Sequence, residues 1–210
     1  MENDGMGREG LGIIIVKAER LDKVVVTGAD VLRLNKGEKR HFEWDVSLPE
    51  WLTNFEADDD CLLIFRHNAY VNTGLNNSLD REFGLGGTAI GFIGVSNNAT
   101  AVTAATVFLN GASGGTAANT IIKAISPAAT RTNQTVTGGA TFVNADFTSG
   151  VFIINKIGFL TTSTDAGTGL VDVIGGTGGA SPYARTFSLD LTAAGSFSFT
   201  GQIAVTAVAV

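Results

Sequence analysis

A mainly β protein, folded as an antiparallel β-sandwich or barrel-like domain with one or two short helices in its N-terminal part, is the class that three features predict. Short β-branched and aromatic runs recur along the chain. Turns rich in Gly, Asn, Ser and Asp separate them. The 27 glycines are accompanied by only 3 prolines and 2 methionines, the usage of many tight turns and little flexible core filler. At 210 residues the chain is long enough to bury a core without disulfides or metals.

Charge divides the chain in two. Residues 1–83 hold 26 of the 34 Asp, Glu, Lys and Arg, residues 84–210 hold 8, and 20 of the 27 glycines fall in the second stretch. The expected organisation is therefore a charged, β-rich region over 1–83 with short helices, serving for attachment or completing the same sandwich. A Gly/Thr/Ala-rich antiparallel β domain over 84–210 follows it.

In the first region LGIIIVKA and KVVVTG are β-branched runs, and HFEWDVSL places Phe42, Trp44, Val46 and Leu48 on one face of a half-buried strand. Pro49 suits the first position of a short helix with Trp51, Leu52 and Phe55 on one side, ended by Asp58. CLLIFR then reads as an interior strand. Residues 72–83 space Leu75, Leu79 and Phe83 at i, i+4 and i+8, with Thr73 as cap and Gly84 as stop, which predicts a helix.

Beyond Gly84, the runs AIGFIGVS, ATVFL, NTIIKAIS, QTVTGGATFV, VFIINKIGFL, LVDVI, ARTFSLDL and SFSFTGQIAVTAVAV are expected strands. RTFSLDL and SFSFTG, joined by TAAG, are expected to form a hairpin, because Phe187, Leu189 and Leu191 alternate with polar residues, as do Phe197 and Phe199. The closing IAVTAVAV is apolar on both faces and should be a central strand or be covered by a partner.

A net charge of -6 would repel a nucleic-acid backbone, so no nucleic-acid partner is expected. The densest basic stretch, Lys36, Lys39, Arg40 and His41, is diluted by Glu38, Glu43 and Asp45. The N-terminus lacks a basic, then apolar, leader, and the apolar runs fall short of the roughly 20 residues of a spanning helix, so no membrane insertion is expected. The sequons at Asn76, Asn98 and Asn133 carry little weight without secretion.

Each pattern in the chain that could suggest catalysis has a plainer reading. Gly84, Gly86 and Ala89 fit G-x-G-x-x-A but follow a helix, with no acid about 20 residues on, so a turn is expected. Ser96 in GVSNN resembles a nucleophile elbow without its second Gly, and both His41 and His67 precede it. Cys61, the only cysteine, sits before Leu62, Leu63 and Ile64 and reads as a buried thiol. Two His and one Cys are too few soft ligands for zinc. Glu56, Asp58, Asp59 and Asp60 lack EF-hand spacing and read as a solvated loop. The second region's acids, Asp146, Asp165, Asp172 and Asp190, are too sparse for glycosidase chemistry. No catalytic, cofactor-binding or metal-binding residue is assigned, no cofactor is expected, and the chain is expected not to be an enzyme.

The segment HNAYVNTGLNNSLDREFGLGGTAIGFIGVSNNATAV resembles structural proteins of tailed-bacteriophage particles. Asn72, Gly74, Leu75, Asp80, Arg81, Phe83, Gly84, Ile93, Gly94, Val95 and Ser96 carry the likeness. RTNQTV, FVNADF and RTFSLDL extend it across residues 67–210, and residues 1–66 fall outside it. The resemblance implies a virion structural protein, assembled in the host cytoplasm, with other tail or capsid components and further copies of itself as partners, and leaves host-surface contact open. A tail accessory or fibre-type component is the first expectation and a capsid decoration protein the alternative, since neither heptads nor strict repeats announce a trimeric shaft. A carbohydrate-binding β module is the competing reading from another class.

Overall fold

Residues Ile13, Ile14, Ile15 and Val16 carry apolar side chains on both faces of an extended run, and both faces are buried. Ile14 and Val16 enter the main core, while Ile13 and Ile15 enter a second cluster with Leu34, Cys61 and Leu63 on the opposite side. A strand buried on both sides belongs in the middle of a sheet, and that is its place. The computed structural model describes residues 10–27, 30–39, 55–67, 69–110, 120–132, 135–147, 153–175, 188–191 and 195–205.

In chain order the elements are β1 (Gly10–Ala18), β2 (Val25–Thr27), β3 (Asp30–Leu34), β4 (Cys61–His67), β5 (Ala69–Tyr70), α1 (Asn72–Glu82) and β6 (Phe92–Ser96). They continue with β7 (Thr120–Ala124), β8 (Thr130–Thr132), β9 (Thr135–Val143), β10 (Ile153–Ile154) and β11 (Lys156–Leu160). The last three are β12 (Leu170–Gly175), β13 (Ser188–Asp190) and β14 (Ser196–Val205).

All pairings are antiparallel. One sheet runs β3-β4-β1-β14-β9-β8, a second β5-β12-β11-β6-β7, and a short third β10-β13-β2. The protein is thus mainly β, and among the described residues there is one α-helix and no sheet closes on itself, so the layers form an open sandwich rather than a barrel. The largest sheet crosses the break in composition: β1, β3 and β4 come from the charged region and β8, β9 and β14 from the Gly/Thr/Ala-rich one. β1 pairs with β14 from Gly10↔Val205 to Ala18↔Phe197. Its other edge pairs with β4, from Leu11↔His67 to Lys17↔Cys61.

The three sheets share one core. Ile14, Val16, Leu62, Ile64, Phe142 and Phe199 come from the first sheet, Ile93, Val95, Ile157 and Phe159 from the second, and Ile154 and Leu189 from the third. Three phenylalanines fill its centre. The rings of Phe142 and Phe197 stack at 5.8 Å, and Phe199 meets them edge-on at 5.4 and 5.3 Å, the separations aromatic quadrupoles favour.

Several expectations hold and others do not. β14 is a central strand, with β1 on one side and β9 on the other; it takes in residues 203–205 of the apolar run IAVTAVAV, whose remaining residues lie outside the described ones. The expected hairpin does not form. β13 pairs with β2 and β10, whereas β14 pairs with β1 and β9, so neighbours in sequence lie in different sheets and meet only through the core. Period-two alternation reports which face is buried, not which strand lies alongside. VFIINKIGFL splits at Asn155 into strands of two different sheets. ATVFL is no strand: residues 104–105 and 109–110 are turns. HFEWDVSL and most of the helix expected from Pro49 lie outside the described residues. The described end of that segment is not helical, because Glu56 forms an antiparallel bridge to Lys39.

Helix α1 matches its expected span, and Gly84 stops it with φ of 68°. It docks through a glycine. Gly74 is the buried residue of the helix, and a Cβ there would stand 2.1 Å from the Val171 carbonyl oxygen of β12. Thr73 is not the cap: Val71 holds that position, and the Thr73 hydroxyl donates to the Leu170 carbonyl at 2.6 Å. Glycine sets how closely helix and strand approach. Gly74→Ala is expected to lower stability by about 1–3 kcal/mol, because backbone must move to admit the methyl group. The check is a lower urea midpoint at an unchanged m-value; an unaltered midpoint would mean that the helix is not docked there.

Candidate functional site

Two places stand out from the surrounding surface. The first is apolar. Because α1 docks through Gly74, Leu79 and Phe83 are turned toward solvent, 50% and 73% exposed, while Leu75 is partly buried. Gly84 and Gly86, both at positive φ, reverse the chain and present Leu85 at 74% exposure. The turn is tied down, since the Asn77 side-chain amide donates to the Thr88 carbonyl at 2.9 Å and its oxygen accepts the Thr88 N–H at 2.7 Å. Three large apolar side chains therefore form a fixed knob, where Gly84 and Gly86 act as turn residues and no strand precedes them.

The second is polar and recessed. Lys156 begins β11 on the sheet's outer side and is 1% exposed. Its amine donates to Asn98 Oδ1 at 2.9 Å and to Thr100 Oγ1 at 3.4 Å. Burial pushes the amine pKa down to about 8, against the opposing pull of the Asp165 charge. Asn98 Oδ1 also accepts the Thr100 N–H at 2.9 Å and the Thr100 hydroxyl. A recess of about 280 Å³ opens beside the amine, between Thr100, Thr103, Thr106 and Phe108.

The roof of this recess is the 97–110 segment. Asp165, itself buried, accepts the Leu109 N–H on one carboxylate oxygen and the Asn110 N–H on the other, each at 2.9 Å. Leu109 then lies over Gly94 and Gly158, whose missing side chains leave it room against the sheet. With Val71, Val102, Leu160, Leu170 and Val173 it forms a third apolar cluster, on the outer side of the five-stranded sheet.

The residues singled out in the sequence are scattered. Cys61 is buried on the far side of the six-stranded sheet, with its thiol pKa raised to about 11 by desolvation. Asp58 and Asp59 form ion pairs with Lys17 and Lys36, and Asp60 accepts the Lys36 N–H at 2.9 Å. A groove of about 730 Å³ beside them mixes Lys17, Arg33 and Lys36 with Glu19, Asp59 and Asp60, so it favours neither sign of ligand. Ser96 is buried and its hydroxyl accepts the Asn98 N–H at 3.1 Å, the geometry of a turn serine. Asp146 pairs with Lys123 at 2.5 Å. Asp172 is fully buried opposite Phe159 in the five-stranded sheet, whereas Asp146 lies in the 3-10 turn that follows β9. His41 lies outside the described residues.

The Lys156 recess was missed in the sequence, although a signal existed. A lysine inside VFIINKIGFL has no apolar reason to be there, and such a residue requires polar partners brought from elsewhere. No protein-family model, curated relative or solved structure matches the chain.

Proposed function

We propose that the protein is a non-enzymatic structural component of a tailed-phage virion, a tail accessory or fibre-type protein held to its neighbours and to further copies of itself through its surfaces. The observation that carries this reading is the fixed knob of Leu79, Phe83 and Leu85, each at least half exposed. Large apolar side chains held out in water gain free energy when a partner covers them, and a tied-down turn loses little entropy in the process. The strands support the same reading. Few charges lie beyond Gly84, so contacts made there desolvate little, and the likeness of residues 67–210 to phage particle proteins agrees with it.

The test uses the full chain. Sedimentation is expected to show an oligomer that the combined Leu79→Ser, Phe83→Ser and Leu85→Ser variant loses while keeping its far-UV spectrum. A wild-type chain that stays monomeric and is missing from purified particles would overturn the proposal. In a map of the intact particle, density on the tail supports the tail-accessory reading, whereas density on the capsid lattice transfers the role to decoration. Release of products from host polysaccharide by the purified chain would sink both.

A further inference from the structure

The geometry points to an intramolecular isopeptide bond between the Lys156 amine and the Asn98 side-chain carbonyl, formed by the chain without any other reactant. This is a modification site, and it stands independently of the proposed role.

Three requirements of such a bond meet in the recess. The nucleophile must be close, and Lys156 Nζ is 2.9 Å from Asn98 Oδ1, held there by a strand whose neighbours are buried. It must also be available as the neutral amine. Lys156 is almost fully buried, and its pKa near 8 leaves a usable neutral fraction at ordinary pH. Of the charged groups around the amine, Asp165 is the one whose field reaches it among the described residues.

Finally, the carbonyl must be polarised. The Thr100 N–H and hydroxyl both donate to Asn98 Oδ1, where negative charge would gather during attack. Neither donor has to move for that purpose. Asp165 fixes the covering segment through Leu109 and Asn110.

The chemistry balances. The Nζ lone pair adds to Cγ of Asn98, and the carbonyl π electrons move onto Oδ1. One proton passes from Nζ to Nδ2, the Cγ–Nδ2 bond breaks with its electrons going to nitrogen, and ammonia departs. The carbonyl re-forms, leaving an amide between Nζ and Cγ that ties the segment after β6 to β11. Nothing is oxidised or reduced.

The intact mass of the full chain, as purified or after incubation above pH 8, is expected to fall short of the sequence mass by about 17 Da, one ammonia. Tryptic digestion should yield a branched peptide joining the Asn98 and Lys156 fragments, uncut after Lys156. Lys156→Arg should keep the full mass together with the wild-type far-UV spectrum. The proposal is overturned if the wild-type chain keeps its sequence mass after prolonged incubation. It is equally overturned if the lost ammonia maps to a linear peptide at Asn110-Gly111, where cyclisation to a succinimide gives the same change, or if Lys156→Arg loses it too.

Discussion

Phe199→Ala is expected to destabilise the protein by about 3–5 kcal/mol, the range for removing a fully buried phenylalanine. Phe199 is 0% exposed and lies between Val16 of β1 and Ala140 of β9 in the register of the central sheet. Both of its ring partners, Phe142 and Phe197, lose an edge-on contact at the same time. The neighbours cannot collapse into the space, because each belongs to a paired strand. Urea denaturation would show a large fall in midpoint at constant m-value. A loss under about 1 kcal/mol would mean that the sheets do not meet across this ring.

Asp165→Ala is expected to cost nearly as much, about 3–5 kcal/mol, through polar groups rather than a cavity. Its two carboxylate oxygens each take a backbone N–H, from Leu109 and Asn110, and charge-assisted bonds of this kind are worth about 1.5–3 kcal/mol. Alanine would strand the buried Leu109 amide and loosen the cover of the third cluster. Asp165→Asn keeps one acceptor oxygen and should fall between the two. Hydrogen exchange at Leu109 is the sharpest readout: its protection should fall in Asp165→Ala and stay largely intact in Asp165→Asn. The same substitution removes the charge that raises the Lys156 pKa, so that amine should titrate below its present value of about 8.

The sandwich class was legible because burial on two sides leaves a continuous apolar run and burial on one side leaves alternation. GLGIIIVKA and CLLIFR are the first kind, and both strands are interior to the largest sheet. Strand partners were not legible. Phe197 and Phe199 share a core with Leu189, yet β13 and β14 sit in separate sheets, and nothing in either pattern records that choice. ATVFL misled for another reason: its Thr and Val favour strands, but the Leu109 and Asn110 amides are taken by an aspartate 56 and 55 residues away.

The helix was legible in the sequence, whereas the face through which it docks was not. Periodicity placed Leu75, Leu79 and Phe83 on one stripe, but the sheet admits α1 only where a glycine lets backbone meet backbone. The outward turn of Leu79 and Phe83 is then the consequence of close docking. The Lys156 recess depends on residues 58 positions apart, Asn98 in a turn and Lys156 in a strand, so no local motif could announce it. Only the incongruous lysine hinted at it.

The adjacency of β1 and β14 dictates when folding can finish on the ribosome. Ala18 emerges about 180 residues before its partner Phe197, and at about 5–20 residues per second that delay lasts roughly 10–40 s. Throughout it, one edge of an isoleucine-rich strand waits without its template, a state that nascent-chain chaperones exist to shield. A transcript truncated before Ser196 delivers neither the missing strand nor the two rings it carries. Translation past that point is therefore the molecule's own checkpoint for maturity.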